Sequence, residues 1–239
     1  MAFKQIRVSP LLDLDAYANN DLIFALTEIP LPQKGACLLR NITIVNRTTD
    51  ADIDMSILFL NNNDTAVGTR QGSTISFPYI EARDKVLGFI ETAGIFSSVS
   101  NDWDNFMLHT TRQATSAAQD GTNRLFNGMI LEPESGSRSV FFTAIDDNEA
   151  PTFAGVTGVL VNGAVSAGAS DTVAVDDVSA LLHFKVGDTV VDADDNIVGV
   201  IKSLTATSIV FNAVTGTALA NDEALFTPHS LEFIFDIEY

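Results

Sequence analysis

Cysteine is nearly absent from this chain. Cys37 stands alone, which excludes any disulfide within the sequence. It falls in "GACLLRNITIV", where a lone cysteine reads as a small buried apolar residue. Positive charge is scarce as well: 13 Lys and Arg face 31 Asp and Glu, for a net charge of −18. Such a surface repels phosphate backbones and anionic headgroups, so neither nucleic acid nor a membrane is expected as a partner. Long apolar runs are missing too. "SILFL" and "GVLV" fall far short of the roughly 20 residues that a bilayer-spanning helix needs. The opening "MAFKQIRVSP" has no apolar stretch of the kind a secretion signal carries, so use without export is expected.

The signatures of catalysis are also lacking. No Gly-x-Ser-x-Gly elbow, phosphate-binding loop or dinucleotide fingerprint occurs, and Cys37 has no neighbouring base to activate it. His109, His183 and His229 lie far apart, outside any ligand spacing. Asp192, Asp194 and Asn196 in "DADDN" match the first ligands of a calcium loop. Ile197 then occupies the position that requires Gly, and Ser203 the one that requires Glu, so a tight turn is the reading. Asp146 and Asp147 read as a solvated pair at a strand end. The expectation is a non-enzymatic protein with no cofactor and no bound metal.

What the chain has in plenty is alternation. In "ADIDMSILFLNNND", Ile53, Met55, Ile57 and Phe59 share one face, and "CLLRNITIVNRTTD" upstream reads as its hairpin partner across "RTTDAD". "NDLIFALTEIPLP" gives a further strand closed by Pro30 and Pro32, which exclude a central ladder position. A short helix over 80–87 leads into a strand through "LGFIE". "NDWDNFMLHTT" is another strand, with Trp103 near its start, and "RQATSAAQDGTNR" is a surface loop. "LFNGMILEPESGSRSVFFTAID" reads as a hairpin turning at "PESGSR". In the closing "LEFIFDIEY", Leu231, Phe233, Phe235, Ile237 and Tyr239 share one face, with Glu232, Asp236 and Glu238 on the other. About eight strands in this set predict an all-β protein built on an antiparallel β-sandwich of jelly-roll type, its core filled by Phe.

Between Gly158 and Thr227 the composition changes: two lysines (Lys185, Lys202), no arginine and nine carboxylates. Short strands at "DTVAVD", "DTVVDAD", "NIVGVIKSL" and "SIVFNAV", separated by turns at "KVGD", "DADDN" and "ATS", predict a small inserted β-barrel of SH3-like size. "VSALLHFKVGD" reads as a strand running into a turn. The expected division is therefore 1–157 plus 228–239 for the sandwich and 158–227 for the insert, placed in a loop between neighbouring strands.

"KVLGFIE" (Lys85–Glu91), "GMILEPESGSRSVFFTAI" (Gly128–Ile145), "APTFAG" (Ala150–Gly155) and the closing "LEFIFDIEY" together resemble a group of tailed-bacteriophage virion proteins. "LTEIPLPQKGACLLRNITIVNR" is similar to that group's opening strand pair. The resemblance implies a β-sandwich on the outside of the capsid. It would be a decoration or cement protein that binds the major capsid protein, as a homo-oligomer with a trimer favoured. The chain departs from the group in carrying the insert. In the N-terminal stretch, Phe3, Ile6, Arg7 and Val8 are the candidate partner-binding residues, as an arm that adds a strand to a neighbour's sheet. An ordinary first strand of the sandwich is the other reading of the same residues. The alternative function is a tail- or fibre-associated adhesin whose insert binds a host-surface glycan. There Phe184, Phe211 and Phe226 are the only aromatic candidates, and they read as core.

Overall fold

A computed structural model of the chain describes residues 2–14, 16–47, 55–64, 67, 84–92, 96–100, 107–111, 128–147, 153, 159–176 and 180–239. Its strands, in chain order, are β1 (Phe3–Val8), β2 (Leu22–Pro30), β3 (Cys37–Asn46), β4 (Met55–Leu60), β5 (Val86–Glu91), β6 (Phe96–Ser100), β7 (Met107–Thr111), β8 (Met129–Leu131), β9 (Ser139–Asp146), β10 (Thr172–Ala174), β11 (Thr189–Val191), β12 (Ile197–Thr205), β13 (Ser208–Phe211) and β14 (Leu231–Glu238).

The first sheet runs β1-β14-β3, and β3 takes β8 at one end and the β7-β6 pair at the other; the second runs β2-β9-β4-β5. Every pairing in both sheets is antiparallel. Without β6 and β7, the strands alternate between the sheets in the order of a jelly roll: β1-β14-β3-β8 faces β2-β9-β4-β5. The sandwich expectation holds. Its two expected hairpins do not. β3 and β4 belong to opposite sheets, and so do β8 and β9. In each case the chain crosses over instead of folding back. A turn does form within "PESGSR", where the Ser137 amide donates to the Glu134 carbonyl at 2.8 Å and Gly136 takes a φ of 87°.

Phenylalanines join the two layers. Phe24, Phe59 and Phe142 come from the second sheet, Phe233 and Phe235 from the first, and all five are fully buried. Phe142 lies at their centre, with ring centroids 5.1 Å from Phe24, 5.1 Å from Phe233 and 5.0 Å from Phe235, each edge to face. This is the preferred geometry of aromatic quadrupoles and adds to the burial energy. Tyr17 extends the core at one side. It lies edge-on to Phe153 at 5.3 Å, accepts the Asp13 amide and donates to the Ile23 carbonyl, both at 2.8 Å.

Elsewhere the structure departs from the expected elements. Of the helix expected over 80–87, Asp84 and Lys85 are helical, whereas Val86 and Leu87 already begin β5; residues 80–83, together with Trp103 and "RQATSAAQDGTNR", lie outside the described residues. "VSALLHFKVGD" holds a short helix, Ala180–His183, where a strand was expected. The β14 alternation holds from Leu231 to Ile237, and the register shift against β3 leaves Arg40 as the extra residue on that strand. Glu238 is buried beneath the Arg40 guanidinium, and Tyr239 is exposed. Asp146 is 1 % exposed, so the solvated pair reduces to Asp147.

Residues 159–225 supply a second hydrophobic cluster, including Val161, Val173, Val190, Ile201, Ile209 and Phe211, which shares no residue with the sandwich core. Its sheet runs β10-β13-β12-β11. Gly199 has a packing reason: a Cβ there would lie 2.9 Å from the Phe211 ring. The insert's two ends pair with each other. The Val161 amide donates to Glu223 and the Leu225 amide to Val159, both at 2.9 Å, so the chain enters and leaves side by side.

Truncating Phe142 to Ala should cost about 3–5 kcal/mol of unfolding free energy, because it opens a cavity among four other rings. Phe89→Ala, at a side chain 58 % exposed, should stay within about 0.5 kcal/mol of the parent. Urea denaturation of the two variants measures both.

Candidate functional site

The predicted partner-binding residues form β1, which pairs with β14 from Phe3↔Glu238 to Val8↔Phe233 without a register break. The free-arm reading is therefore corrected: these residues are the first strand of the sandwich. Ile6 is buried in the core and Val8 packs against it, since a strand on a two-layer sandwich turns alternate residues inward. Phe3 (67 % exposed) and Arg7 stay outside. β1 lies at the edge of its sheet. The outward side chains of this corner form a polar lattice. The side-chain amides of Gln5 (Nε2) and Asn41 (Nδ2) both donate to the Asp236 carboxylate, at 3.2 and 3.0 Å, and Arg7 donates to Glu232 and to Gln5 Oε1 at 3.4 and 3.2 Å. Arg40 pairs with Glu238.

The second constellation sits where the insert meets the sandwich. Arg47 follows directly on β3 and is largely buried. Its guanidinium donates to the Asp188 carboxylate at 2.7 Å, to the His183 carbonyl at 3.2 Å and to the His229 carbonyl. Its own amide donates to Ser230 at 3.0 Å. One side chain from the sandwich thus holds the short helix, the following turn and the exit strand. Asp188 is prepared for this: it is buried, and its carboxylate also accepts the Lys185 amide at 2.9 Å. His229 fixes the other flank, donating from Nδ1 to the carbonyls of Pro10 and Ser9 at 3.0 and 3.1 Å. Lys185 reaches Glu232 at 3.5 Å on the surface, a contact worth little in water. A cavity of about 10 Å³ remains between Arg47 and Phe153 on one side and His183, Phe184 and Phe226 on the other.

His183, which the sequence left outside any ligand spacing, is buried at this junction. Burial lowers its pKa below the usual 6.5, and the Arg47 charge lowers it further. His109 lies in β7 opposite Ile44 and Ser98. Cys37 is buried as read, and burial pushes its thiol up. "DADDN" is the β11–β12 turn. Asp192 Oδ1 accepts the amides of Asp194 and Asn196, both at 2.9 Å, and Asp195 takes a φ of 61°. That carboxylate organises a hairpin. Phe184 and Phe211 are buried in the insert's core and Phe226 is half-buried at the junction, so none of the three is an open aromatic platform.

Sequence reasoning missed Arg47 and Asp188. The one visible signal was the lone charge "R" after an apolar strand, which is ordinary at a strand end. No protein-family model, no curated protein and no solved structure matches the chain.

Arg47→Met should leave Asp188 buried with one donor fewer, at a cost of about 3 kcal/mol. Hydrogen exchange should speed up at 183–188 and 229–231 and stay unchanged in β4 and β9. A depressed histidine pKa means that the unfolded chain binds the proton more readily. The His183 contribution is therefore complete above pH 6.5 and shrinks as the pH falls below it. On going from about pH 7.5 to about pH 5.5, His183→Gln should lose less thermal stability than the parent. Melting curves in matched buffers read the difference.

Proposed function

We propose that this chain is a non-enzymatic structural protein of a tailed-phage virion, a decoration or cement protein on the capsid exterior. In this reading the sandwich binds the major capsid protein and bridges shell subunits. The insert, a small β-barrel of SH3-like size, faces solvent, and the protein assembles as a homo-oligomer, with a trimer favoured. One observation carries the proposal: a self-contained second core is spliced between β9 and β14 of a jelly roll, and its two ends run side by side. Such a body leaves the sandwich free to attach while Arg47 holds the insert in one orientation. Jelly rolls serve in viral capsids and also in lectins, so the fold supports the reading by analogy only. The residue-level resemblance in β5, β8, β9 and β14 favours the virion over the glycan-binding adhesin. The insert's lack of an open aromatic platform points the same way.

Labelled protein incubated with separated phage heads and tails, then sedimented, decides the matter. Saturable binding to heads, on the order of hundreds of copies per particle as a symmetric shell would offer, is the expected result. Binding to tails or host cells and not to heads would overturn it.

A further inference from the structure

The outer edge of β1 is patterned for pairing. Ala2 and Tyr239 exchange both backbone hydrogen bonds, each at 3.0 Å. In an unbroken antiparallel ladder this phase makes Lys4, Ile6 and Val8 the residues bonded to β14. The N–H and C=O groups of Phe3, Gln5 and Arg7 therefore point away from the sheet. Among the described residues no strand pairs with them, since β1 ends the sheet. The edge has none of the bulges or prolines by which many sheets protect such a position. Beside it lies an open depression of ≈ 380 Å³ lined by Phe3, Lys4, Gln5, Arg40, Asn41 and Asp236.

Three carboxylates, Glu232, Asp236 and Glu238, accompany the three cations of this corner, so the choice of occupant rests on Lys4, at the edge itself. In a chain of net charge −18 with 13 basic residues, β1 carries Lys4 and Arg7 and no carboxylate, and Arg40 stands next to it. Arg7 and Arg40 are paired with Glu232 and Glu238. Lys4 is exposed and has no carboxylate partner among the described residues. A second copy of this strand would bring two unmatched Lys4 ammonium groups to one junction, which like-charge pairing disfavours. We propose that the β1 edge takes an extended acidic segment of another protein as an added strand. The segment's backbone bonds to Phe3, Gln5 and Arg7, one apolar side chain lies against Phe3, and its carboxylates face Lys4. Recognition of this kind draws affinity from the main chain and specificity from alternate side chains. The inference does not depend on the virion reading.

The test uses a fluorescein-labelled peptide of alternating Glu and Val, titrated with the full-length protein and followed by anisotropy. Its Lys/Val counterpart is titrated alongside. Gln5→Pro deletes an N–H that points outward, so the ladder to β14 survives and the melting temperature should hold. Gln5→Ala removes the same side chain but keeps the N–H. The expected result is saturable binding of the acidic peptide, retained by Gln5→Ala and lost by Gln5→Pro. Lys4→Glu with Arg7→Glu should weaken it about tenfold. No saturable binding of the acidic peptide, equal binding of the basic one, or unchanged binding by a folded Gln5→Pro protein would overturn the proposal. A dimer of the parent that Gln5→Pro dissociates would also overturn it, in favour of self-pairing.

Discussion

The strand nearest the end of the sequence, β14, lies inside the six-stranded sheet, hydrogen-bonded to β1 on one side and β3 on the other. It brings Phe233 and Phe235 under the rings of the opposite layer. The sandwich core is therefore incomplete until this segment is in place, and every residue between β9 and β14 must depart from and return to one spot. That constraint explains the rest of the architecture. The inserted residues form a body whose ends pair with each other, because only such a body leaves the gap between β9 and β14 short enough to span.

Electrostatics follows the same plan. An acidic chain gains nothing from placing carboxylates at random in its interior, and three of the buried ones hold elements together. Asp188 meets Arg47, Asp192 ties the β11–β12 turn, and Glu238 meets Arg40. Four of the thirteen cations stand where elements join: Arg47 and Lys185 at the junction, Arg7 and Arg40 on the β1-β14-β3 corner. A buried pair such as Arg47–Asp188 adds little net stability over an apolar substitute, but it does fix one arrangement of the parts it bonds. Here it fixes the insert against the sandwich.

Much of this was readable in the residues, for an identifiable reason. Period-2 alternation reports which residues turn inward, so β2, β3, β4, β9 and the inserted strands emerged at nearly their true bounds. Alternation says nothing about which strand is the neighbour. β3 and β4, or β8 and β9, look like hairpins because each pair is close in sequence, yet the jelly roll sends them to opposite sheets. The Ala180–His183 helix is a single turn, too short to show a helical period. Glu238 keeps the outward facing that the alternation gives it, but Arg40, which the register shift leaves unpaired in β3, covers it, and nothing local in the sequence marks that contact. The junction was hidden for a further reason. Arg47 and Asp188 are 141 residues apart, and nothing local distinguishes either from a solvated charge. For β1, the residues left a partner-binding arm and an ordinary first strand both open, and only the pairing with β14 shows Ile6 and Val8 to be core.

The central claim is that the jelly roll is complete without the residues spliced into it. Replacing 158–227 with a short Gly-Ser linker and following cooperative unfolding by circular dichroism and calorimetry addresses this directly. The account predicts a folded β-protein with a single cooperative transition, its stability lowered by no more than about 3 kcal/mol through loss of the Arg47 contacts. A chain that fails to fold, or that melts without cooperativity, would show instead that the two cores form as one and would contradict the account.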